Sequence, residues 1–404
     1  MKAEENELIT RVEYGAPMGQ MLRENFWFPA ALSIKILPGK SPLRVRLLGE
    51  QFVAFRASDG RVGFFDENCP HRRASLALAR NEDNALRCIF HGWKYGVDGT
   101  VLEVPTQPHN AAEFCKRVPL QHYPVREAGG IIWVWLGKGP AKAFPDFEFN
   151  HVPEDQVYAI HQQLPYNWVQ DVEGGLDSAH VAILHSHWLK GIDIPYASFD
   201  TAPTYEFQSV AGGYRYAAIR NAPDEKSYIR VNQFVMPWYA FICPEEMPDG
   251  DRLVIFSTPN DDLHTTHWMI RYNRHRPLKP SYANPAPDRG DYPPAPTSGP
   301  EGHWGQDRDA MEAGHFSGFT RHLNTEDFAV AWSQGRIADR SREFLNEGDL
   351  AVVWLRRHLL TAVKEHMNGE QLSGMKGLAE SYRAIKADAL LIPKMNDWKA
   401  LVLA

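Results

Sequence analysis

The sequence predicts an α+β chain in which a small β-domain precedes a larger domain of strands and helices. Three features of the 404 residues predict this order. The first third is rich in strand-like runs, a linker containing glycine and proline follows at residues 137–149, and the end has helical periodicity. We expect an N-terminal helix and the β-domain in residues 1–145, with a core at about 27–137, and the second domain in residues 146–404.

Strand-length runs and turn residues alternate in the first part of the chain. Residues 43–67 contain β-branched and aromatic runs broken by Gly49 and by Ser58-Asp59-Gly60, and residues 131–136 form a further run that ends at Gly137. After the linker, residues 166–184 and 349–366 have helical character. Strands are predicted at 205–210, 214–219, 228–242, 252–258 and 267–272. Residues 277–300 contain eight prolines and are predicted to be a loop.

Composition excludes several classes of partner. The net charge of -7 and the isoelectric point near 6.2 argue against a phosphate-binding surface, so neither nucleic acid nor an anionic membrane is expected. The N-terminus lacks the apolar core of a signal peptide, and no run reaches the roughly 18 apolar residues of a membrane span. Four cysteines are too few for a disulfide framework. We therefore expect a reducing cytoplasm, where thiolates can bind metal.

Two short segments each supply one cysteine and one histidine. Cys69-Pro-His71 is separated by sixteen residues from Cys88-Ile-Phe-His91. Two thiolates on one iron and two imidazoles on the other are the ligands of a Rieske [2Fe–2S] cluster. A structural zinc site accepts the same ligands, but zinc sites usually begin with a pair of cysteines two to four residues apart. The spacing favours the cluster and leaves zinc as the alternative.

A second metal-binding pattern is Asp177-Ser-Ala-His180 followed by His185. On a helix, Asp177 and His180 would share a face, but His185 would point elsewhere. Both imidazoles can bind one metal only if the helix distorts or ends before His185. Two histidines and one carboxylate form the facial triad of non-haem Fe(II) oxygenases. The competing interpretation is that these are polar residues on a helix surface. His187 is the nearest alternative histidine, and we expect it to be a flanking polar residue.

The cysteine and histidine segments, with Gly92-Trp93 after the second, resemble the Rieske domain of aromatic-ring-hydroxylating oxygenases. The Rieske proteins of respiratory complexes carry an additional cysteine in each loop, and this chain has none there. Residues 6–11, 15–19, 91–99 and 333–345 also resemble the phthalate-dioxygenase type, which includes chlorobenzoate and phenoxybenzoate dioxygenases and, more distantly, O-demethylases. The resemblance implies that the second domain is a curved antiparallel sheet with helices, of the helix-grip or START-like kind.

The resemblance also assigns roles to residues. Cys69, His71, Cys88 and His91 would hold the cluster. His180 and His185 would bind a mononuclear Fe(II), with Asp177 bridging to a cluster histidine of the neighbouring subunit. Residues 324–335 resemble the C-terminal iron segment, which favours Asp327 over Glu326 as the third ligand. Alternatively, either acid begins a helix as a capping residue.

Partners follow from the same resemblance. We expect a homo-oligomer, trimer or hexamer, and a separate reductase with flavin and a [2Fe–2S] cluster that delivers electrons from NADH. The chain itself has no plausible dinucleotide-binding Gly-x-Gly-x-x-Gly motif. The substrates would be O₂ and an aromatic compound. If that compound is a carboxylate, Arg230 is the first candidate to bind it and Arg215 the second.

Three functions are distinguishable. The first is a terminal oxygenase that dihydroxylates, monohydroxylates or O-demethylates an aromatic substrate. The second is an electron-transfer protein with a cluster but no mononuclear iron. The third is a zinc-stabilised binding module, which would be colourless. The sequence favours the oxygenase, because the second metal-binding pattern has no role in the other two.

Overall fold

The computed structural model describes residues 1–190, 197, 200–244, 250–278, 293–394 and 397–403. Most of the predicted proline-rich loop, residues 279–292, lies outside the described residues. The chain divides into two units. The smaller comprises Leu22–Phe144, and the larger comprises Met1–Met21 together with Pro145–Ala404.

The N-terminal segment Met1–Met21 groups with the larger unit, whereas the sequence predicted that it would group with the β-domain. The chain begins with helix α1 (Ala3–Thr10), and α2 (Pro17–Asn25) follows. Asn6 on α1 donates to the carbonyl of Ala338 and accepts from the Arg340 guanidinium, both at 2.9 Å. Because these contacts attach α1 to the C-terminal part of the chain, Met1–Met21 is part of the larger unit. The predicted grouping of the N-terminal helix with the β-domain is therefore corrected.

The smaller unit consists of short antiparallel strands in three sheets, ordered β1-β10-β9, β2-β3-β4 and β5-β6-β7-β8. The strands are β1 (Trp27–Leu32), β2 (Leu43–Leu47), β3 (Glu50–Arg56), β4 (Val62–Asp66), β5 (Arg80–Glu82), β6 (Ala85–Arg87), β7 (Lys94–Gly96), β8 (Val101–Glu103), β9 (Val125–Ala128) and β10 (Ile131–Trp135), with helix α3 (Ala111–Arg117) after β8. Phe55, Phe65 and Leu86 belong to one buried cluster that also contains Cys69 and Cys88. Both cysteine loops are therefore anchored in the core.

The larger unit is built on an antiparallel sheet in the order β11-β17-β16-β15-β14-β13-β12, with β18 paired to β14. Its strands are β11 (Val157–Leu164), β12 (Thr204–Val210), β13 (Gly213–Ala222), β14 (Lys226–Val235), β15 (Tyr239–Ile242), β16 (Arg252–Pro259), β17 (Thr265–Tyr272) and β18 (Asp388–Pro393). Its remaining helices are α4 (Trp168–Leu176), α5 (Val181–Leu184), α6 (Ser186–Leu189), α7 (Arg308–Glu312), α8 (Leu323–Ser333), α9 (Leu350–Met367), α10 (Leu378–Ser381) and α11 (Trp398–Leu403). The predicted α+β class is confirmed.

Most predicted elements of the larger unit are present, but several differ from the prediction, and strand β11 was not predicted. The predicted strand 228–242 is two strands, β14 and β15, joined by a turn at Met236-Pro237-Trp238. Proline lacks the amide that a ladder needs, which favours a break at this point. Strand β18 was not predicted, because a six-residue apolar run near a chain end has no distinctive period.

A buried ion-pair network joins α4 to the C-terminal part of the larger unit. The guanidinium of Arg340, which is fully buried, donates to both carboxylate oxygens of Glu173 at 2.8 Å. Arg356 donates to the same carboxylate at 2.7 Å. Burial alone would raise the pKa of Glu173, but the two guanidinium groups lower it below its ordinary value.

Removing Arg340 leaves part of a buried negative charge uncompensated. We expect Arg340→Ala to lower the free energy of unfolding of the larger unit by about 3–5 kcal/mol. Lys394→Ala is the control, because its ion pair with Glu225 is exposed and contributes less than about 1 kcal/mol. Urea denaturation followed by circular dichroism would measure both variants, and equal losses would contradict the expectation.

Candidate active site

The two cysteine loops of the smaller unit have the same backbone pattern. The amides of Cys69 and Cys88 donate to the carbonyls five residues further on, those of Ala74 and Trp93, both at 2.9 Å. Each cysteine carbonyl also accepts from the amide four residues further on, again at 2.9 Å. The two loops are thus matching turns, each of which holds a cysteine inward at its start.

The loop side chains meet in pairs. Cys69 and Cys88 are buried free thiols, and burial together with the neighbouring Cys69 raises the pKa of Cys88 above its ordinary value. The ring centroids of His71 and His91 are 4.4 Å apart, and the His71 ring stacks on Trp93. Burial, followed by the neighbouring charges of His91 and Arg72, lowers the pKa of His71 and favours the neutral imidazole that binds metal.

One buried atom supports a ligand role for the second histidine. Nδ1 of His91 is buried and has no hydrogen-bond partner among the described residues. A buried ring nitrogen without a partner is unfavourable unless an external group satisfies it. Two adjacent thiols and two adjacent imidazoles with such a nitrogen fit a cluster held by sulfur on one side and nitrogen on the other.

Tyr95 is a site residue that the sequence analysis missed. Its hydroxyl lies 2.9 Å from Sγ of Cys69, and the side chain is fully buried. Residues two apart on a strand share a face, so Tyr95 follows Trp93 toward the loops. This alternation was available as a signal, although the contact with sulfur was not.

In the larger unit, the predicted helix at 166–184 is interrupted. Helix α4 ends at Leu176, and Asp177 follows with extended backbone as its C-cap. The Asp177 carboxylate accepts from the amide of Ala179 at 2.7 Å, and this local bond competes with continued helix. The assumption that Asp177 and His180 share a helix face is therefore wrong, yet the carboxylate still lies 3.5 Å from Nδ1 of His180.

The interruption brings both imidazoles to one carboxylate. Nε2 of His180 lies 3.4 Å, and Nε2 of His185 lies 3.1 Å, from the same Oδ1 of Asp327 on α8. One potential ligand atom from each of the three residues lies within 4.8 Å of the others. The structure therefore brings together the three side chains that the sequence analysis selected for the mononuclear metal.

The charges of these groups suit a cation. Burial alone would lower the pKa of His180, but Asp177 and Asp327 raise it to about 10. Burial likewise opposes the effect of Asp327 and Glu326, which raise the pKa of His185 above its ordinary value. The pKa of Asp327 is lowered well below its usual range, because the two imidazoles outweigh its burial. A divalent cation would take the place of the protons that these carboxylates attract.

Glu326 and His187 occupy other positions. Helix α8 begins at Leu323 with His322 as N-cap, so the capping interpretation of Glu326 and Asp327 is wrong. Glu326 is fully buried, and its Oε2 lies 2.6 Å from Nδ1 of His185, on the opposite side of the ring from Asp327. His187 is exposed and stacks on His315 outside this group.

A cavity of the larger unit opens onto the three side chains. Strands β14 to β17 supply both polar and apolar residues to its lining, namely Tyr228, Arg230, Asn232, Ile242, Leu253, Ile255, His267, Met269 and Arg271. Arg230 donates from Nε to Sγ of Cys243 at 3.1 Å. No carboxylate among the described residues pairs with its guanidinium.

Arg215 does not line this cavity. It pairs in register with Gln233, and its guanidinium donates to the Gln233 side chain at 2.9 and 3.1 Å. Successive residues of a strand alternate between faces, so Gln233 and Arg215 lie on the opposite face of the sheet from Asn232. The structure thus separates the two arginines that the sequence analysis proposed.

The sequence analysis also missed a histidine and aspartate pair in the cavity wall. Nδ1 of His267 on β17 lies 2.7 Å from Oδ2 of Asp171 on α4, and both side chains are buried. Tyr166 donates to the other carboxylate oxygen at 2.7 Å. Only the fold brings these distant residues together, and it fixes the His267 ring at the cavity surface.

Comparison with known proteins identifies the two parts of the chain. Residues 26–124 match the family model of the Rieske [2Fe-2S] domain, and residues 134–403 match the model described as LigXa C-terminal domain like. The phthalate 4,5-dioxygenase oxygenase subunit of Pseudomonas putida is 37% identical over 98% of this chain and 93% of its own length. The 3-chlorobenzoate-3,4-dioxygenase oxygenase subunit of Comamonas testosteroni is 32% identical over 98% of this chain and 96% of its own length.

Solved structures support the fold. Dicamba monooxygenase bound to dicamba aligns with a TM-score of 0.60 and 17% identity, over 86% of this chain and 99% of that one. The terminal oxygenase of carbazole 1,9a-dioxygenase from Nocardioides aromaticivorans aligns with a TM-score of 0.61 and 19% identity, over 87% of this chain and 96% of that one. The predicted order of a Rieske domain and a sheet-and-helix domain is confirmed.

The fold, the paired loops and the two family matches define a Rieske oxygenase, which disfavours the zinc-module interpretation. The chain belongs to the Rieske oxygenase family, in the group of terminal oxygenase subunits that includes phthalate 4,5-dioxygenase. It is an oxidoreductase. Among the described residues, none of the helices combines the length and the apolar character that crossing a bilayer requires.

The contact of Tyr95 with Cys69 predicts a measurable electrochemical effect. A hydroxyl that donates to a ligand sulfur stabilises the reduced cluster more than the oxidised one, because reduction adds negative charge. We expect Tyr95→Phe to lower the cluster potential by an amount on the order of tens of millivolts, the equivalent of about one hydrogen bond.

Protein-film voltammetry would measure the potential. Tyr123→Phe is the matched control, since its hydroxyl donates to Asp66 at 2.9 Å rather than to a ligand. An unchanged potential in Tyr95→Phe would show that this hydroxyl does not act on the cluster.

Proposed function

We propose that this protein holds one Rieske cluster and one mononuclear Fe(II), and that it uses O₂ to dihydroxylate an aromatic carboxylate or an aryl ether. The convergence of His180, His185 and Asp327 beside a cavity that contains Arg230 carries the proposal. An electron-transfer protein would need neither the cavity nor the second set of ligands.

Cys69, Cys88, His71 and His91 would hold the cluster, and His180, His185 and Asp327 the iron. When bound, the cluster supplies single electrons and the iron supplies the activation of O₂. The remaining contribution of the chain is to fix the imidazoles, to orient the substrate and to limit access of water. The convergence of the ε nitrogens on one carboxylate oxygen supports this assignment.

Asp177 is proposed as a bridge between subunits. Its carboxylate lies beside Nδ1 of His180, and its side chain is 27% exposed, so part of the carboxylate can accept a bond from outside. We assign that bond to a cluster histidine of a neighbouring copy, in a trimer or hexamer. The electrons would come from NADH through a separate reductase with flavin and a [2Fe–2S] cluster.

A reducing cytoplasm suits these assignments. None of the four cysteines forms a disulfide: Cys69 and Cys88 would hold the cluster, and Cys115 and Cys243 are free thiols. Free thiols and an iron–sulfur cluster both persist where disulfides are rare.

The proposed substrate carries an anionic group. The planar guanidinium of Arg230, which lines the cavity as Arg271 also does, suits a carboxylate. Leu253, Ile255 and Met269 supply the apolar wall that suits an aromatic ring. The relatives named for phthalate and 3-chlorobenzoate support this class, since both names are those of aromatic carboxylates.

O-demethylation is the second candidate reaction. The 5,5'-dehydrodivanillate O-demethylase oxygenase subunit of a Sphingobium strain is 29% identical over 92% of this chain and 82% of its own length. Incubation with reductase, NADH and ¹⁸O₂ would separate the reactions. A diol with two labelled oxygens supports dioxygenation, whereas a phenol plus formaldehyde supports demethylation. If no aromatic acid or ether in a broad panel is oxidised, the proposal fails.

Replacing Arg230 should affect anionic substrates selectively. Arg230→Met removes a charge-assisted hydrogen bond worth about 1.5–3 kcal/mol, so the KM for an aromatic carboxylate should rise roughly 10–100-fold. The KM for the matching methyl ester should change little. Arg215→Met is the control, because Arg215 lies on the other face of the sheet. Equal increases for acid and ester would remove Arg230 from substrate binding.

Replacing Asp177 should affect turnover without removing either metal. Asp177→Asn keeps the size of the side chain but loses the charge beside His180, so kcat should fall about 10–100-fold. Iron content and the visible spectrum of the cluster should match those of the unaltered protein. Wild-type kcat in this variant would contradict the bridging role.

A further inference from the structure

The His185 imidazole lies between the carboxylates of two consecutive residues on α8. Nε2 faces Oδ1 of Asp327 at 3.1 Å, and Nδ1 faces Oε2 of Glu326 at 2.6 Å. Consecutive helical residues point about 100° apart, which lets one helix reach both edges of a ring that enters between them. Asp327 is thus on the metal-binding side of the imidazole and Glu326 on its back.

Glu326 is itself held in place. Its side chain is fully buried, and its second oxygen, Oε1, accepts a hydrogen bond from the hydroxyl of Ser317. The Ser317 hydroxyl in turn accepts from the amide of Phe319 at 3.2 Å. Both oxygens of the carboxylate therefore have a donor, and the acid has no exposed edge through which it could reorient.

The backbone that carries Ser317 depends on one glycine. Gly318 has φ +76°, and a Cβ at this position would lie 2.6 Å from the carbonyl oxygen of Asp307. The amide of Asp307 donates to the Gly318 carbonyl at 2.9 Å, which draws the two segments together. A side chain at position 318 is thus excluded, and the turn at Gly318 places the Ser317 hydroxyl against the Glu326 carboxylate.

We propose that Glu326 is a positioning residue for the mononuclear iron, in addition to the three ligands and to Asp177. It accepts the proton of His185 Nδ1, which fixes the tautomer in which Nε2 carries the lone pair for the metal, and it increases the basicity of that nitrogen. This inference rests on the proposed function, because His185 must be an iron ligand for its orientation to matter.

The two histidines then have different supports. The Asp177 carboxylate, whose side chain is 27% exposed, lies 3.5 Å from Nδ1 of His180. The Glu326 carboxylate, whose side chain is fully buried, lies 2.6 Å from Nδ1 of His185. An exposed support can take a second partner from another subunit. A buried support can act only on the ring in front of it. Glu326 is therefore assigned to iron affinity within the subunit, and not to communication between the metal centres.

The test is Fe(II) binding to the cluster-loaded, full-length protein under anaerobic conditions. Glu326→Gln preserves shape but removes the charge, and the Kd for Fe(II) should rise about 10–100-fold. Glu343→Gln is the matched control, since that carboxylate pairs with Arg356 and touches none of the iron ligands. It should bind Fe(II) as the unaltered protein does.

A spectroscopic readout separates positioning from general destabilisation. At saturating Fe(II), the EPR signal of the nitric oxide adduct should change its rhombicity in Glu326→Gln and remain unchanged in Glu343→Gln. Should Glu326→Gln fail to fold, Ser317→Ala tests the same support, and it should weaken Fe(II) binding about threefold to tenfold, as expected for one lost hydrogen bond.

The outcomes distinguish this inference from the proposed function. His185→Ala should abolish mononuclear iron binding, and if it does not, the proposed iron site fails. If His185→Ala abolishes binding while Glu326→Gln and Ser317→Ala retain wild-type affinity and the wild-type EPR signal, only the positioning role is overturned.

Discussion

The arrangement of the larger unit depends on one carboxylate oxygen that lies between two imidazoles. Oδ1 of Asp327 contacts Nε2 of both His180 and His185, although Asp327 is remote from them in sequence. Such a contact requires that helix α8 be held against the segment after α4 and that this segment leave the helical path. Two imidazoles and a carboxylate whose potential ligand atoms lie within 4.8 Å of one another form a donor set that a divalent cation can bind, which is why the geometry indicates a metal.

Local chemistry creates the departure from the helix. Asp177 ends α4 by binding the amide of Ala179, and the chain then makes only the short helix α5 before His185. The same carboxylate also faces His180. One side chain therefore shapes the backbone and supports a proposed iron ligand, so its replacement acts on both.

The smaller unit contains the same turn twice, once in each cysteine loop. Two turns of identical hydrogen-bond pattern bury a cysteine each and leave a histidine each only partly buried. Buried sulfur and accessible imidazole suit a cluster that must be shielded on one side and exchange electrons on the other. In this unit the core packs around the proposed ligands, with Cys69 and Cys88 inside the same apolar cluster as Phe55 and Leu86.

Much of this could be predicted from the sequence, because the ligand sets are encoded in short spacings. The paired loops and the pattern from Asp177 to His185 each lie within a few residues, and the predicted strands are short apolar and aromatic runs. The predictions that failed depend on contacts between residues that are distant in sequence. The attachment of α1 to Arg340, the pairing of β18 with β14, and the separation of Arg230 from Arg215 all follow from register and packing, which no local pattern contains.

The choice between Glu326 and Asp327 shows the same limit. The resemblance selected Asp327, but the residues alone gave two adjacent acids, and the interpretation of either as a helix cap was wrong. Only the position of the His185 ring shows that Asp327 faces Nε2, the proposed metal-binding nitrogen, and that Glu326 faces Nδ1. Neighbouring residues can thus have distinct roles that become visible when a third side chain is placed between them.

The central claim is that one chain carries two separate iron centres with separate ligands. The most direct measurement is the iron and sulfide content per chain after anaerobic loading with Fe(II). The account predicts about three irons and two sulfides, with one iron lost and the cluster spectrum kept when His180 and His185 are both alanine. A protein that holds its cluster but never binds more than about two irons, or in which that double variant loses none, would contradict it.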